Sequence, residues 1–287
     1  MANLKEIRNR ISSVSSTMQI TSAMKMVSAA KLKKAQDAIT AMRPYANKLT
    51  ELIQNLSQSL DSDEPNPYTQ QRPVERVLIV ALTSNRGLCG GFNSNILKEV
   101  KRLKAETYAG KEVSIYSIGK KGSDLLQKDS NVLATADHLY DDLTYAQVSE
   151  AAEEIMQRFT AAEFDQVVLV YNRFKNAATQ LVTTEAYLPL VADSNEEQSS
   201  NVEYIFEPSQ EEIVGELLPK SLKLQLFKAL RDSFASEHGA RMTAMHKATD
   251  NAKDLRDQLK LTYNKARQAA ITNEILEIVG GAEALNN

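Results

Sequence analysis

The clearest candidate for chemistry in this sequence is a glycine-rich segment, SNRGLCGGFNSN at residues 84–95, which follows a short apolar run. A glycine-rich turn between a strand and a helix can hold a phosphate on its backbone N–H groups. Here Gly87, Gly90 and Gly91 are spaced as GxxGG, which matches neither the dinucleotide fingerprint nor a P-loop, and no Lys-Ser or Lys-Thr pair follows. We therefore interpret the segment as a tight turn, with a phosphate cradle as the less favoured alternative.

Cys89 lies inside this turn and is the only cysteine of the chain, so no internal disulfide can form. A cysteine nucleophile needs a base nearby, and none of the three histidines, His138, His238 and His246, lies close to it in sequence. His238 and His246 are eight residues apart on a predicted helix, which is not the four-residue spacing of a zinc-binding pair. We therefore expect Cys89 to be a buried structural residue, and we expect the chain to hold no catalytic residues, no cofactor and no metal.

The two ends of the chain have the pattern of long helices. No glycine precedes Gly87, and between Pro219 and Gly280 there is one glycine, Gly239, and no proline. Alternating spacings of three and four residues, typical of a coiled-coil seam, recur in both ends. The predicted N-terminal seam is Leu4, Ile7, Ile11, Val14 and Met18, and the C-terminal one is Met245, Ala248, Ala252, Leu255, Leu259, Thr262, Ala266 and Ala269.

A helix over residues 220–279 would be about 90 Å long, which a compact domain cannot cover. The N-terminal helix is the only other element long enough to pair with it. Proline lacks a backbone donor and clashes with the preceding turn, so we expect Pro44 and Pro219 to kink or interrupt these helices. A further helical stretch is predicted from Leu49 to Leu60.

The middle of the chain alternates short runs rich in Val and Ile with helical stretches, which is typical of a parallel α/β sheet. Strands are predicted at Arg76–Thr83, Val113–Ile118, Val167–Tyr171, Leu181–Leu190 and Val202–Phe206, and helices at Asn93–Tyr108, Lys121–Lys128 and Thr144–Phe159. The predicted fold is therefore a long antiparallel two-helix coiled coil, formed by the N- and C-terminal helices, with an inserted Rossmann-like α/β domain. We expect the N-terminal helix over residues 1–60, the α/β domain over 74–208 and the C-terminal helix over 209–287.

Charge is distributed unevenly along the chain. Residues 1–48 carry nine Lys and Arg against two Asp and Glu. Residues 220–287 also carry more Lys and Arg than Asp and Glu. Because the whole chain has a net charge of −3, the middle of the chain must be acidic. The basic helix contains Lys31, Lys33 and Lys34, which we expect to face an acidic partner surface. The longest apolar run has six residues, Val77–Leu82, whereas a membrane span needs about 18, and we expect no membrane-spanning segment.

The sequence resembles the gamma subunits of F-type ATP synthases over essentially its whole length. The resemblance is carried by LKEIRNRISSVSSTMQITSAMKMVSAAKLKKAQ near the start, SNRGLCGGFN and VEYIFEP in the middle, and ITNEILEIVGGAEAL near the end. It implies a rotor shaft that couples proton flow through a membrane ring to ATP synthesis or hydrolysis. The paired terminal helices would stand inside a hexamer of alpha and beta subunits, and the α/β domain would rest as a foot, with the epsilon subunit, on the ring of c subunits.

The resemblance also implies roles for individual residues. Met24, Arg241, Gln268, Thr272 and Glu274 fall where the family's coupling residues lie. Tyr204 and Glu207 fall near the contact with the membrane ring. No nucleic acid is expected as a partner, and the location implied is the cytoplasmic face of a bacterial cell membrane, as a peripheral protein.

Two other classes of protein fit parts of the pattern. A nucleotide-using α/β enzyme with a helical dimerisation arm would account for the glycine-rich turn, and nucleotide titration of the isolated chain would distinguish it. A coiled-coil adaptor carrying a passenger domain would account for the helices, and co-purification with a hexameric ATPase would separate it from a rotor shaft.

Overall fold

A computed structural model describes residues 4–59, 67–128, 130–190 and 210–286. The chain forms two compact units. The coiled-coil unit comprises Met1–Ser28 and Met242–Asn287, and the sheet unit comprises Ala29–Arg241.

Two long helices, α1 (Leu4–Ser59) and α5 (Gln210–Asn286), contribute residues to both units. Of the two expectations for Pro44 and Pro219, a kink or an interruption, the interruption is wrong, because both prolines lie inside continuous helices. Each proline removes one helical hydrogen bond, and in long helices such as these the packed apolar residues on either side offset that loss. The stretch predicted separately from Leu49 to Leu60 is part of α1 as far as Ser59.

In the coiled-coil unit, α1 and α5 run antiparallel. The Arg8 guanidinium donates to the Tyr263 hydroxyl at 2.8 Å, and the hydroxyls of Thr21 and Thr249 are 2.8 Å apart. Contacts therefore move towards the N-terminus of α5 as they move towards the C-terminus of α1. This is the antiparallel pairing that the length of the C-terminal helix predicts.

The seam of α1 is as predicted, with Leu4, Ile7, Ile11, Val14 and Met18 buried or half-buried. The predicted seam of α5 is wrong at three positions, since Leu255, Thr262 and Ala269 are exposed. At these places the observed seam uses the next residue, and its buried or half-buried members are Met245, Ala248, Thr249, Ala252, Arg256, Leu259, Tyr263, Ala266 and Ala270. Long polar side chains cover apolar surface with their stems or rings, so hydrophobicity alone misassigned these positions.

The sheet unit is built on five strands in the order β3-β2-β1-β4-β5. Their bounds are β1 Arg76–Leu82, β2 Glu112–Ile118, β3 Asn131–Thr135, β4 Gln166–Phe174 and β5 Gln180–Leu188. The first four strands are parallel, and β5 pairs antiparallel with β4. Strands β1, β2, β4 and β5 correspond to sequence predictions. Strand β3 does not, because its short sequence NVLAT places only one large aliphatic side chain on each face of the strand, Val132 on one and Leu133 on the other.

Helices cover both faces of this sheet. Helix α2 (Phe92–Arg102, continued by a π turn at Leu103–Thr107) and α3 (Lys120–Leu126) pack on the face that carries Val77, Ile79 and Ala81. Helix α4 (Tyr145–Thr160) and residues 222–230 of α5 pack on the opposite face, with a 3-10 turn at Asp137–Tyr140. Thus α5 is the covering helix of an α/β sheet as well as half of a coiled coil.

Helix α1 also packs on α5 within the sheet unit, where Ala46 and Leu49 of α1 bury against Leu224. None of the helices that the structure describes has both the length and the hydropathy required for a membrane span.

Candidate functional site

The glycine-rich turn leaves the carboxyl end of β1 and enters α2, and its own side chains close it. The Asn93 side-chain oxygen accepts a hydrogen bond from the Ser84 backbone N–H at 3.0 Å, and the Asn93 amide nitrogen donates to the Ser84 hydroxyl at 2.8 Å. The Ser84 hydroxyl lies 2.7 Å from the Arg86 carbonyl oxygen, to which it donates. Asn93 and the Arg86 carbonyl thus bind the N–H and hydroxyl of Ser84, so that the turn closes on its own side chain, which favours the tight-turn interpretation.

Cys89 is buried inside the turn and packs with Phe92 and Ala240. Its sulfur accepts a hydrogen bond from the Asn93 amide nitrogen at 3.3 Å. Burial raises the pKa of the Cys89 thiol, and the hydrogen bond with Ser84 only partly opposes this effect. A thiol with a raised pKa is a poor nucleophile at neutral pH, so the environment of Cys89 fits the predicted structural role.

The tip of the turn is exposed and its backbone is unusual. Leu88 has a positive φ of 61° and its side chain is 66% exposed, and Gly90 has a φ of 59°. A left-handed backbone is uncommon for any residue other than glycine, asparagine or aspartate and costs free energy. Surrounding contacts must therefore hold Leu88 in this conformation.

Arg241 of α5 supplies such a contact. Its guanidinium donates to the carbonyl oxygens of Arg86 at 3.0 Å and of Gly87 at 3.3 Å, and it forms an ion pair with Glu237, one helical turn earlier. We call Glu237, Arg241 and these two carbonyl groups the arginine clamp. Arg241 is 7% exposed and Glu237 is 6% exposed, so both charges lie out of water and each depends on its partner.

The groups around the clamp show the effect of this burial. Burial raises the pKa of the Glu237 carboxyl, whereas the Arg241 guanidinium and the nearby Lys31 ammonium favour its charged form. Burial lowers the pKa of His238 to about 3, with the positive charges of Arg241 and Lys31 acting in the same direction. The neutral His238 ring packs edge-on against Phe234, with centroids 4.5 Å apart, and neither ring nitrogen has a hydrogen-bond partner in the described chain.

The clamp lies where an open α/β sheet usually binds its ligand, outside the carboxyl ends of the strands at which the strand order reverses. Here that point is between β1 and β4. Gly239 approaches the β4–β5 turn so closely that a Cβ atom would lie 3.2 Å from the Ala177 backbone. Asn172, near the end of β4, donates to the Phe92 carbonyl at 3.1 Å. Helix α5 thus fills the crevice that a nucleotide would occupy in an enzyme of this topology.

The other residues singled out from the sequence lie along the two long helices. Met24 is half-buried on the seam side of α1, and its carbonyl accepts from the Ser28 hydroxyl. Lys31, Lys33 and Lys34 are exposed on α1. Gln268, Thr272 and Glu274 are exposed on α5, and the Thr272 hydroxyl donates to the Gln268 carbonyl at 2.9 Å.

Two sequence predictions fall in residues that the structure does not describe. Tyr204 and Glu207 lie outside the described residues, as does the predicted strand Val202–Phe206. Their proposed contact with a membrane ring therefore stays a prediction.

The structure adds two residues that sequence reasoning missed, one in the clamp and one that closes the turn. Glu237 and Asn93 were not singled out, although Glu237 and Arg241 have the i,i+4 spacing of a helical ion pair. That spacing is common on exposed helix surfaces, and nothing in the local sequence marks this pair as buried. In the described part of the chain, no group of three or more His, Cys, Asp or Glu side chains could hold a metal ion.

Comparison with known proteins finds the same family over nearly the whole chain. A family model described as ATP synthase matches residues 3–285. The ATP synthase gamma chain of Flavobacterium psychrophilum is 67% identical over 285 residues, which cover 99% of each chain. The ATP synthase gamma chain of Geobacter metallireducens is 45% identical over 286 residues, again 99% of each chain.

Solved structures with a similar fold belong to rotary assemblies. A chain in the Euglena gracilis mitochondrial ATP synthase, OSCP/F1/c-ring in rotational state 3, has a TM-score of 0.72 at 24% identity, covering 98% of this chain and 94% of that one. A chain in the Tetrahymena thermophila mitochondrial ATP synthase, central stalk/c-ring, has a TM-score of 0.61 at 27% identity, covering 80% of this chain and 99% of that one.

The buried His238 leads to a prediction about pH and stability. Because the folded protein holds this ring neutral while the unfolded chain protonates it near its ordinary pKa, the unfolded state binds more protons below that pKa. The free energy of unfolding should therefore fall as the pH falls from about 6.5 towards 3, by up to about 1.4 kcal/mol per pH unit from this group.

His238→Leu should remove that part of the pH dependence. At neutral pH it should be neutral or stabilising, because it also removes buried polar atoms that have no partner. Urea unfolding of both chains at about pH 7.5 and about pH 5 measures the difference, with the exposed His246→Leu as the matched control. An identical fall in stability for wild type and His238→Leu would contradict the argument.

Proposed function

This chain belongs to the ATP synthase gamma chain family, and we propose that it is the central rotor shaft of an F-type ATP synthase. In this role it couples proton flow through a membrane ring to rotary ATP synthesis or hydrolysis in a catalytic hexamer. The observation that carries the proposal is the match over 99% of the chain at 67% identity to an ATP synthase gamma chain of the same length. At this identity and coverage the relative and this chain share one architecture from end to end.

The paired helices of the coiled-coil unit have the properties that a shaft requires. A single helix transmits torque poorly, whereas two helices joined along a seam resist twisting together. Here the seam is reinforced by side-chain contacts between Arg8 and Tyr263 and between Thr21 and Thr249. A shaft with different side chains around its circumference presents a different face to each catalytic subunit, and those differential contacts can shift the subunits among conformations.

The last part of α5 fits a contact with the surrounding hexamer. Residues 271–282 are exposed in the described chain, and five large aliphatic side chains in this stretch are between 44% and 71% exposed: Ile271, Ile275, Leu276, Ile278 and Val279. Exposed apolar surface of this kind marks an interaction site. We infer that this end runs in an apolar bearing and that Gln268, Thr272 and Glu274 contact the hexamer beside it.

We infer that the chain contributes no catalytic site of its own to the complex. The support is that the glycine-rich turn is closed by Asn93 and that α5 fills the crevice at the ends of β1 and β4. The alternative of a nucleotide-using enzyme requires both features to open. Bond chemistry is therefore assigned to the partner subunits.

The proposed partners are the alpha and beta subunits of the hexamer, the epsilon subunit and the ring of c subunits. Support comes from the assemblies that contain the similar chains, which are a central stalk with its c-ring and an F1 sector with its c-ring. The chain would then be a peripheral protein at the cytoplasmic face of a bacterial membrane.

Reconstitution tests the shaft role directly. Alpha and beta subunits mixed with this chain should form a complex that hydrolyses ATP over many turnovers, whereas the purified chain alone should neither bind nor hydrolyse ATP. Calorimetric titration of the chain with ATP and steady-state hydrolysis by the complex measure the two expectations. A micromolar ATP site on the isolated chain would favour the enzyme alternative, and failure to associate with the hexamer would overturn the proposal.

The lysines of α1 should contribute to coupling through attraction to acidic surfaces of the hexamer. Lys31, Lys33 and Lys34 are all exposed, so replacing the three with glutamine should weaken a salt-sensitive contact. Because the Lys31 charge also acts on the buried Glu237, the double variant Lys33→Gln with Lys34→Gln is measured beside the triple variant. We expect fewer protons pumped per ATP hydrolysed in membrane vesicles. The exposed lysines Lys98, Lys101 and Lys104, replaced in the same way, provide a charge-matched control, and an unchanged ratio for the α1 variant would argue against this role.

Substitutions in the foot, the part of the chain expected to rest on the c-ring, should impair ATP synthesis and leave ATP hydrolysis by the detached head intact. Substituting Tyr204 and Glu207 together should impair proton-driven ATP synthesis in vesicles, because truncation of an anchoring aromatic side chain in an interface commonly costs about 2 kcal/mol or more. Hydrolysis by the head detached from the membrane should remain nearly intact, since it needs only the shaft. Both activities are measured on one preparation, and a parallel loss of both would assign these residues to the shaft or the fold.

A further inference from the structure

Helix α5 covers one face of the sheet with side chains that lie almost completely out of water. Four of them are at most 1% exposed: Leu222, Leu226, Ala229 and Leu230. The hydrophobic effect is non-directional, and packed helices slide past their neighbours by about 1–2 Å in many conformational changes. Burial therefore keeps α5 on the sheet, but it defines the position of the helix along and around its own axis only weakly.

A buried hydroxyl ties the backbone of α5 to the sheet. The Tyr187 hydroxyl of β5 donates to the backbone carbonyl oxygen of Leu222 at 3.1 Å, and the Tyr187 side chain is fully buried. Inside a helix this carbonyl group also accepts from the N–H group four residues later, so the phenol occupies its second lone pair. The bond thus holds the helix itself rather than a flexible side chain on its surface.

A second link runs through three side chains, from β4 across β5 to α5. The Tyr171 hydroxyl donates to one oxygen of the Glu185 carboxylate at 2.7 Å, and the Gln225 side-chain nitrogen donates to the other oxygen, also at 2.7 Å. The same nitrogen donates to the Ala186 carbonyl oxygen at 3.1 Å. Burial and the Glu185 carboxylate raise the pKa of Tyr171, so its hydroxyl stays protonated and remains a donor.

These bonds are more sensitive to displacement than the apolar contacts around them. Protein hydrogen bonds span about 2.7–3.2 Å and weaken steeply when they are misaligned, so a slide of about 1–2 Å breaks them. Leu222 and Gln225 are three residues apart on α5, which is less than one helical turn. Sliding or rolling of the helix would therefore break both links together and leave the buried Tyr187 hydroxyl without a partner, which is costly.

We propose that Tyr171, Glu185, Tyr187 and Gln225 form an anchor that fixes α5 on the sheet and passes torque from the sheet to this helix. Helix α5 continues into the coiled-coil unit, so a sheet that rolled about it would turn without turning the shaft. The inference rests on the proposed function, because torque arises only if the chain rotates in an assembly. It goes beyond that function by naming positioning residues that act within the chain, through the orientation of α5.

The test measures the angular fluctuation of the sheet about the shaft in a complex with alpha and beta subunits. The hexamer is fixed to a surface, and a bead is attached to a cysteine introduced by Asp124→Cys. Asp124 is an exposed residue of α3, on the sheet face opposite to α5, and the native Cys89 is buried. The width of the angular distribution is recorded without nucleotide, and rotation and hydrolysis are then recorded with ATP.

Two variants remove the two links separately. The first combines Tyr171→Phe, Glu185→Met and Gln225→Met, which nearly keeps side-chain volume and removes the bonding groups together. The second is Tyr187→Phe. A slide of about 1–2 Å at a helix surface about 5 Å from its axis is a roll of about 10–20°. We expect each variant to widen the angular distribution of the bead by up to this amount, while ATP hydrolysis without load stays close to that of wild type.

A conservative variant tests whether the hydrogen bonds themselves are responsible. Glu185→Gln keeps an acceptor for the Tyr171 hydroxyl and an amide that can pair with Gln225, so the angular width should remain that of wild type. Widening as large as that of the triple variant would contradict the proposal.

A matched control separates positioning from general stability. Tyr116→Phe with Glu154→Met removes a hydrogen bond of the same kind, 3.1 Å long, between β2 and α4, and it leaves Arg158 paired with Glu163. Any loss of melting temperature should resemble that of the triple variant, but the angular width should not change. Equal widening in this control would overturn the proposal.

The remaining outcomes also decide between the two levels of inference. An unchanged width for both the triple variant and Tyr187→Phe would overturn the anchor. If the triple variant does not fold, Tyr187→Phe, which removes only an oxygen atom, decides the question by itself. A wild-type complex that does not assemble or does not rotate the bead counts against the proposed function, whereas a rotating wild type with unchanged widths in the variants counts against the anchor alone.

Discussion

The constraint on which the rest of this structure depends is that α5 has 77 residues and carries an apolar stripe that it cannot bury by itself. Most helical stability in proteins comes from packing of such a stripe rather than from intrinsic propensity. In the coiled-coil unit the stripe packs on α1, and in the sheet unit it packs on the sheet and on α1. Because α5 needs a partner over the part that precedes the exposed residues 271–282, α1 pairs with it, and the sequence of the α/β sheet lies between the two helices.

The second role of α5 explains why a nucleotide-binding topology is used here without its usual ligand. Residues 222–230 cover one face of the sheet, and the next turns of the same helix bring Gly239, Ala240 and Arg241 to the carboxyl ends of the strands. A buried guanidinium bound to two turn carbonyls and one carboxylate satisfies polar groups that a bound ligand would otherwise satisfy. In this crevice α5 therefore binds the glycine-rich turn of the same chain. The buried ion pair is costly to desolvate, so it contributes through the geometry that it imposes on the turn rather than through stability.

Sequence reasoning recovered the architecture because its strongest signals are local and periodic. The three central strands, β1, β2 and β4, are short runs rich in Val, Ile and Leu, and the scarcity of glycine in both ends of the chain indicates long helices. It failed where tertiary packing outweighs local preference. The helices continue through Pro44 and Pro219, and Arg256 rather than Leu255 lies in the seam. The same reason accounts for the missed clamp: a Glu and an Arg four residues apart have the same pattern on a wet surface as in a buried crevice.

The misassigned seam positions bear on how such a pair of helices could carry torque. A seam made only of alanine and leucine fits its partner almost equally well after a shift of one heptad, whereas a polar residue at a seam position specifies register at some cost in stability. Here the seam of α5 contains Thr249, Arg256 and Tyr263 at regular intervals. Thr249 meets the Thr21 hydroxyl, the Arg256 guanidinium lies 3.7 Å from the Met18 sulfur, and Tyr263 accepts from Arg8. A shift along the seam would break all three contacts together and leave polar groups against apolar ones. The polar substitutions that weaken the hydrophobic seam are therefore the ones that oppose slippage of one helix past the other, which is the mechanical property that a two-helix shaft needs most.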